Sequence, residues 1–204
     1  MKKYITIGII VVLVLLFGTS GCSTYNKMVV LDQSVQQQWA KVEVQYQRRM
    51  DLIPNMVETV KGYAAHESST YENVTKARTG LSDAYNAAKD AEAAGSNPGT
   101  ATDFARYNDA QQALNRALSI YVNAVREAYP DLKADTQFAN LQTVLEGTEN
   151  RIATERGRYT EVVNTYNIAV RRFPANILAG FFGFSAKPQF EADAAAAQAP
   201  HVQF

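Results

Sequence analysis

Apolar and polar positions alternate along most of this chain with the period of a helix. Met28, Leu31, Val35, Trp39, Val42, Tyr46, Met50, Ile53, Val57, Val60 and Ala64 follow one another at steps of three or four, with a mean of 3.6. That is the repeat of one α-helical face. A continuous helix over this stretch would run about 54 Å at roughly 1.5 Å per residue. Pro54 lies inside the pattern. It has no N–H to donate, and its ring crowds the carbonyl four residues back, yet the apolar phase passes through it unchanged. The pattern predicts a kinked but continuous helix, or two segments held in phase. Lys61 and Gly62 read as a last turn and its stop.

Three further stripes follow. Ser69 and Glu72 have the spacing of a capping box. Tyr71, Val74, Ala77 or Arg78, Leu81, Tyr85 and Ala88 then form a weaker face that ends near Gly95. "GSNPGT" (95–100) has the chemistry of a loop. A third helix is predicted to start near Thr102 or Asp103, either of which can cap it. Its face is Phe104, Tyr107, Gln111, Leu114, Leu118, Tyr121, Val125 and Ala128, and Pro130 stops it. A fourth starts near Asp135 or Thr136. It carries Phe138, Leu141, Leu145, Thr148, Ile152, Glu155, Tyr159, Val163, Tyr166, Val170 and Phe173, and Pro174 ends it. No stretch alternates as a strand would.

Four long helices with short connections pack most simply as an up-down-up-down bundle. The expected fold is therefore all-α: a long-helix antiparallel four-helix bundle preceded by an N-terminal membrane anchor or lipoprotein signal. Residues 1–21 are the signal or anchor, 22–27 a tether, 28–173 the bundle and 174–204 an aromatic, glycine-containing tail. The two ends of such a bundle lie together, so the tail emerges near the membrane. It opens "PANILAGFFGFSAKPQF", which reads as a poor helix. It either folds back over the open end of the bundle, the commoner fate, or touches lipid headgroups or a partner. Residues 191–204 read as a mobile end.

The leader begins with Lys2 and Lys3, followed by 15 mostly apolar residues from Tyr4 to Gly18. A signal-peptide core takes about 7–15 apolar residues and a spanning helix about 20. Counting Thr19 to Gly21 extends the run to 18, so both readings stay open. Small residues directly before Cys22 resemble a lipoprotein processing site, with Cys22 as the lipid attachment point. This reading is favoured, although Thr19 stands where a leucine is usual. In the other reading the leader is an uncleaved anchor helix and Cys22 is incidental. The basic pair stays in the cytoplasm under both, so the bulk of the chain is expected on the extracytoplasmic, periplasmic side.

Charge narrows the function classes. The formal net charge is zero, and apart from Lys2 and Lys3 the chain holds 18 basic against 20 acidic residues. That provides no field and no basic stripe for nucleic acid. A single cysteine excludes an intrachain disulfide. His66 and Glu67 could suggest a metal pair, but a metal site needs three or four donors, and the other histidine is His201, in the tail. No metal and no cofactor is expected. No nucleophile elbow or phosphate-binding glycine loop appears, so no catalytic residue is nominated. The densest polar cluster is Arg48, Arg49, Asp51, Pro54 and Asn55. Glu155 falls on the fourth apolar stripe, with Arg156 and Arg158 nearby. An interhelical network pairing Arg49 with Glu155 would fix register more than add stability. An anion site at Pro54 is a weaker candidate.

Several stretches together resemble the LemA family: "WAKVEVQYQRRMDLIPNMVETVKGYAAHE" (39–67), "KAR" (76–78), "YPDLKADTQFANLQ" (129–142), "TENRIATERGRY" (148–159), "YN" (166–167) and "FPANILAGFFGF" (173–184). They run in order across nearly all of residues 25–190. Thr160 stands where the family often carries asparagine, so no role is carried over to it. The resemblance implies a membrane-attached protein with an N-terminal anchor, commonly a plain helix, and a helical bundle outside the cytoplasm. It implies no enzyme. The functional expectation is a membrane-tethered interaction module with envelope protein partners. The alternative is a ligand-binding or sensor bundle holding a small molecule between helices. An enzyme working from the 48–55 and 149–158 polar regions ranks third.

Overall fold

The computed structural model of the chain describes residues 2–65, 71–95 and 99–190, with side chains from residue 21 onward except at 133 and 134. Its elements are all helical: α1 (Lys2–Ala64), α2 (Glu72–Ala93), α3 (Ala101–Ala128), a 3-10 turn (Pro130–Ala134), α4 (Thr136–Arg171) and α5 (Ala175–Phe182). Ser69, His66, Glu67, His201 and the end read as mobile lie outside the described residues, as do the apolar side chains of the leader. Among the described residues no helix is long and apolar enough to cross a membrane.

The helix ends follow from local chemistry, with one correction. α3 starts at Ala101 because Thr100 caps it: its hydroxyl oxygen accepts from the Asp103 N–H at 3.4 Å. Thr102 and Asp103, the expected caps, lie inside the first turn. There Asp103 sits well for the helix dipole and pairs with Arg106 at 3.0 Å. Asp135 caps α4 as expected, accepting from the Phe138 N–H at 2.9 Å. α2 closes into Gly95, whose φ of +97° a glycine adopts without a Cβ clash. Helix α1 continues through Pro54 without interruption and runs one residue pair past the expected stop at Gly62. Residues 22–27 are helical and part of α1.

The long helices alternate in direction. Gln38 meets Glu155 while Arg49 meets Glu149, so α1 and α4 are antiparallel. Trp39 meets Phe104 and Tyr46 meets Tyr107, so α1 and α3 run the same way. Tyr71, just before α2, touches Tyr129, just after α3, which makes that pair antiparallel. The buried stripes follow those of the sequence, widened on α1 and ending on α4 at Val170: Phe173, expected on the fourth stripe, lies past the end of the helix and is exposed. On α1, Gln38, Arg49 and Met56 are buried beside the expected positions, and Val57 is only partly covered. α2 buries a thin row, Val74, Leu81, Ala88 and Ala91, consistent with its weak sequence face.

The α2–α3 hairpin is shorter than the α1–α4 pair. It ends at the level of Trp39, where Phe104 and Ala91 join the lower core. Below that level the tail takes over. The stretch expected to be a poor helix forms α5, closed by Gly183 at φ +78°. The chain then returns in extended form. The Tyr159 hydroxyl donates to the Pro188 carbonyl at 3.2 Å. Asn167 holds the Lys187 backbone from both sides, at 2.8 and 2.9 Å. The Lys187 ammonium pairs with Asp32 at 2.8 Å. Phe190 lands on Trp39, Phe104 and Tyr159 with ring centroids 5.0–6.0 Å apart, under the Arg156 guanidinium at 4.3 Å.

Two measurements check this packing. Phe190→Ala removes the ring that closes the aromatic cluster. A fully buried phenylalanine costs about 3–5 kcal/mol on truncation; Phe190 is only partly covered, so a loss of about 2 kcal/mol is expected in urea unfolding. An unchanged midpoint would mean that the tail contributes nothing to the core. The buried tyrosines set an alkaline limit. Burial pushes the Tyr121 and Tyr166 hydroxyls up to about 12 and those of Tyr107 and Tyr159 higher still. A phenol in the unfolded chain ionises near pH 10, so above that the unfolded state releases protons that the folded state keeps. Stability is therefore full below about pH 10 and falls as pH rises toward 12.

Candidate functional site

Halfway along the bundle a charged side chain sits in the core. Arg49 is 2% exposed. It lies beside Met50 on α1, at the edge of the apolar face, and the close approach of α3 and α4 covers it. Its Nη1 donates to Glu149 Oε1 on α4 at 3.0 Å. Its Nη2 donates to the Gln111 backbone carbonyl at 2.9 Å and to Gln111 Oε1 at 2.6 Å on α3. The guanidinium carbon stands 5.3 Å from the Tyr46 ring centroid, close enough for a cation–π attraction. The Gln111 amide turns its N–H toward the Met50 sulfur at 3.7 Å. Arg49 Nε has no hydrogen-bond partner among the described residues. One side chain thus ties three helices together.

A second polar layer lies closer to the N-terminal end of α1. The buried Gln38 amide donates to Glu155 Oε2 at 2.6 Å. Arg158 reaches the other oxygen of the same carboxylate at 2.6 Å. Glu155 therefore does not pair with Arg49. Glu149 takes that place, six residues earlier on α4 and about 9 Å along its axis. The sequence gives the helices their faces but not the axial offset between α1 and α4, and this offset selects Glu149.

The remaining nominated residues stay outside the core. Arg48, Asp51, Pro54 and Asn55 are exposed. Asp51 accepts from Gln47 one turn away, and the Asn55 carbonyl accepts from Thr59. Pro54 lines a surface groove with Ile53, Glu58, Arg78 and Asp83, two carboxylates to one guanidinium. Cys22 is exposed and free. Sequence reasoning missed Gln111 and Glu149 as partners. Gln111 carried a signal, since it is the one polar side chain on the third apolar stripe. Glu149 borders the fourth stripe beside Thr148 and shows none.

Glu149 links the buried layer to the surface. It lines an open groove of about 550 Å³ between α3 and α4, together with Met56, Asn115, Asn123, Arg126 and Glu146. Elsewhere in the core, burial raises the Glu43 carboxyl above its usual range; the Trp39 indole opposes this and the nearby Glu92 charge adds to it. Burial likewise raises the Tyr46 hydroxyl, with Arg156 and Arg49 pulling the other way. Among the described residues no three of His, Cys, Asp and Glu gather as metal ligands. Apart from Arg49 Nε, the polar groups of the Arg49 layer are engaged within it. The arrangement can hold three helices in register.

Comparison with known proteins adds a lineage. The family model described as the LemA family matches residues 38–204. Magnetosome protein MamQ 2 and magnetosome protein MamQ 1 of Paramagnetospirillum magneticum are each 28% identical over 176 residues, covering 82% of this chain and 64% of the relative. Magnetosome protein MamQ of Magnetospirillum gryphiswaldense is 26% identical over 185 residues, covering 82% of this chain and 65% of the relative. The chain thus spans just under two thirds of the length of these relatives.

The buried pair predicts an asymmetry. Removing one partner leaves the other charge stranded, which costs about 3–5 kcal/mol when both are buried, whereas an apolar substitute of similar volume is often neutral. Glu149 is about one-third exposed, so Glu149→Ala is expected to cost about 2 kcal/mol after discounting for solvent screening. Arg49→Met should cost less. Denaturant midpoints measure both, and the reverse order would mean that Arg49 does not depend on Glu149. Glu155→Ala, which removes a half-buried acceptor, should lose about 1 kcal/mol.

Proposed function

This chain belongs to the LemA family, and from that premise we propose that it is a membrane-tethered protein whose helical bundle lies outside the cytoplasm, serving the cell envelope as a non-catalytic scaffold or interaction module. The observation that carries this reading is the continuity of α1. The same helix contains the backbone of the apolar leader and the main buried stripe of the bundle. Its 63 residues correspond to about 95 Å of rise. Kept as an anchor, the leader would let this helix hold the bundle at a set distance and attitude; removed before Cys22, it would leave α1 helical from its first residue, with no loose linker before the bundle. In this reading residues 1–21 are signal or anchor, 22–27 connect, 28–173 form the presented surface, and Cys22, exposed at the junction, is the favoured lipid attachment point. Arg49, Gln111 and Glu149 are engaged with one another across three helices, which suits a scaffold better than a catalyst.

The α3–α4 groove supports a second reading, a bundle that holds a small polar molecule between helices. Its lining offers donors and acceptors, and Glu149 would transmit occupancy to the Arg49 layer. A melting temperature raised by a bound metabolite, with the rise abolished by Asn123→Leu in the groove, would favour it over the scaffold.

The tether is tested by intact-mass and N-terminal peptide analysis of the chain extracted from native membranes. A species that begins at Cys22 and carries acyl mass is the expected result. A species that keeps residues 1–21 with unmodified Cys22 supports the anchor-helix form of the same proposal. A chain that lacks both and washes off membranes at high pH without detergent would overturn the tether.

A further inference from the structure

The exposed apolar surface of the bundle is concentrated at one place. Ile177 and Phe181, one turn apart on α5, and Phe173, in the turn just before it, have exposures of 63, 84 and 76%. Phe182 beside them is about half exposed. The opposite side of α5 is seated. Ala179 is buried in the lower core and Ala175 packs against the same cluster. Other exposed large apolar residues, such as Val44, Ile120 and Val144, are scattered singly along the long helices, where they need no explanation. Four exposed large apolar side chains on eight helical residues and their flank do.

Its position supplies the occupant. α5 touches α1 at the first residues after the apolar leader. Leu178 lies against Gly21, and Phe182 packs on Tyr25 with ring centroids 4.8 Å apart. Gly21 is three residues, about 5 Å, beyond the last leader glycine at 18. Cys22 adjoins it. Whether the leader spans or Cys22 carries acyl chains, α5 stands within a turn or two of the bilayer surface.

Charge agrees. Residues 171–190 contain Arg171, Arg172 and Lys187 and no Asp or Glu. Lys187 is engaged by Asp32. Arg171 and Arg172 are exposed, with no ion-pair partner among the described residues. Two free guanidiniums directly preceding an aromatic, apolar face match the anionic headgroups and acyl boundary of a lipid surface. Aromatic side chains favour that boundary.

We propose that α5 is a second membrane contact: Phe173, Ile177, Phe181 and Phe182 enter the interfacial layer beside the N-terminal tether, and Arg171 and Arg172 meet lipid phosphates. This rests on the tether proposed above. A single attachment leaves the bundle free to turn about it. A second contact, on the side of α1 that carries α5, fixes which face of the bundle points along the membrane.

The test uses the full-length chain in vesicles of phosphatidylethanolamine and phosphatidylglycerol. Phe181→Trp reports the depth of α5, and Ile120→Trp on α3 is the exposed reference; both sites are on the surface, so folding should be kept. The expected result is co-flotation of both variants with the vesicles. The 181 tryptophan should be quenched several-fold more by lipids brominated near the headgroup than the 120 tryptophan, and be shielded from aqueous iodide. Flotation with equal iodide access at both positions overturns the α5 contact and leaves the tether standing. Absence of flotation overturns both. Shielding from iodide without lipid quenching, in a chain that migrates as a dimer, assigns the patch to a second copy and also overturns the proposal.

Discussion

The apolar stripe of α1 must be covered along its whole length below Ala64, and the rest of the fold is the set of elements that cover it. A helix this long is not held by backbone hydrogen bonds alone, because tertiary burial of an amphipathic face supplies most of its stability in water. α4 is long enough to lie along it from end to end. A third and fourth wall are also needed. The α2–α3 hairpin supplies them from Val60 down to Trp39, and there it stops. The returning tail covers what is left, which places Phe190 at the seam where hairpin and tail meet. The aromatic cluster around Trp39 thus marks a change of partner along one continuous helix.

Within that frame Arg49 selects the register. Apolar stripes slide past one another at little cost, since leucine against leucine is much the same one turn along. A buried guanidinium is not tolerant in this way. Its two terminal nitrogens need acceptors, and the observed offset of α1 against α3 and α4 brings both Gln111 and Glu149 within reach. Its contribution is discrimination between alignments more than net stability. The Gln38–Glu155 contact repeats the same arrangement one layer lower.

The two ends of the bundle differ in character. The far end is closed by tyrosines: Tyr63, Tyr71 and Tyr129 meet edge to face, away from the leader. The near end carries exposed aromatics, the exposed Arg171 and Arg172 and the exposed Cys22. Tethered at this end, as proposed, the chain would present the long sides of α2, α3 and α4 to its surroundings. The groove between α3 and α4 lies on those sides.

The sequence by itself determined the helices, their faces and several of their ends. Periodicity is a local property, so the stripes from Met28 to Ala64 and from Phe138 to Val170 are legible without any partner, and so is the Asp135 cap. It also singled out Arg49 as a polar residue at the edge of an apolar face. Tertiary structure decided what lay beyond one helix. The offset of α1 against α4 exchanged Glu155 for Glu149, and the width of the buried face drew in Gln38 and Met56. The tail illustrates the division most clearly. Its glycines and aromatics make a weak helix in isolation, and propensity alone gave no reason for α5 to form. The uncovered lower stretch of α1 and α4 supplies the apolar surface against which it folds, and a length mismatch between distant helices is not written in any local stretch of sequence.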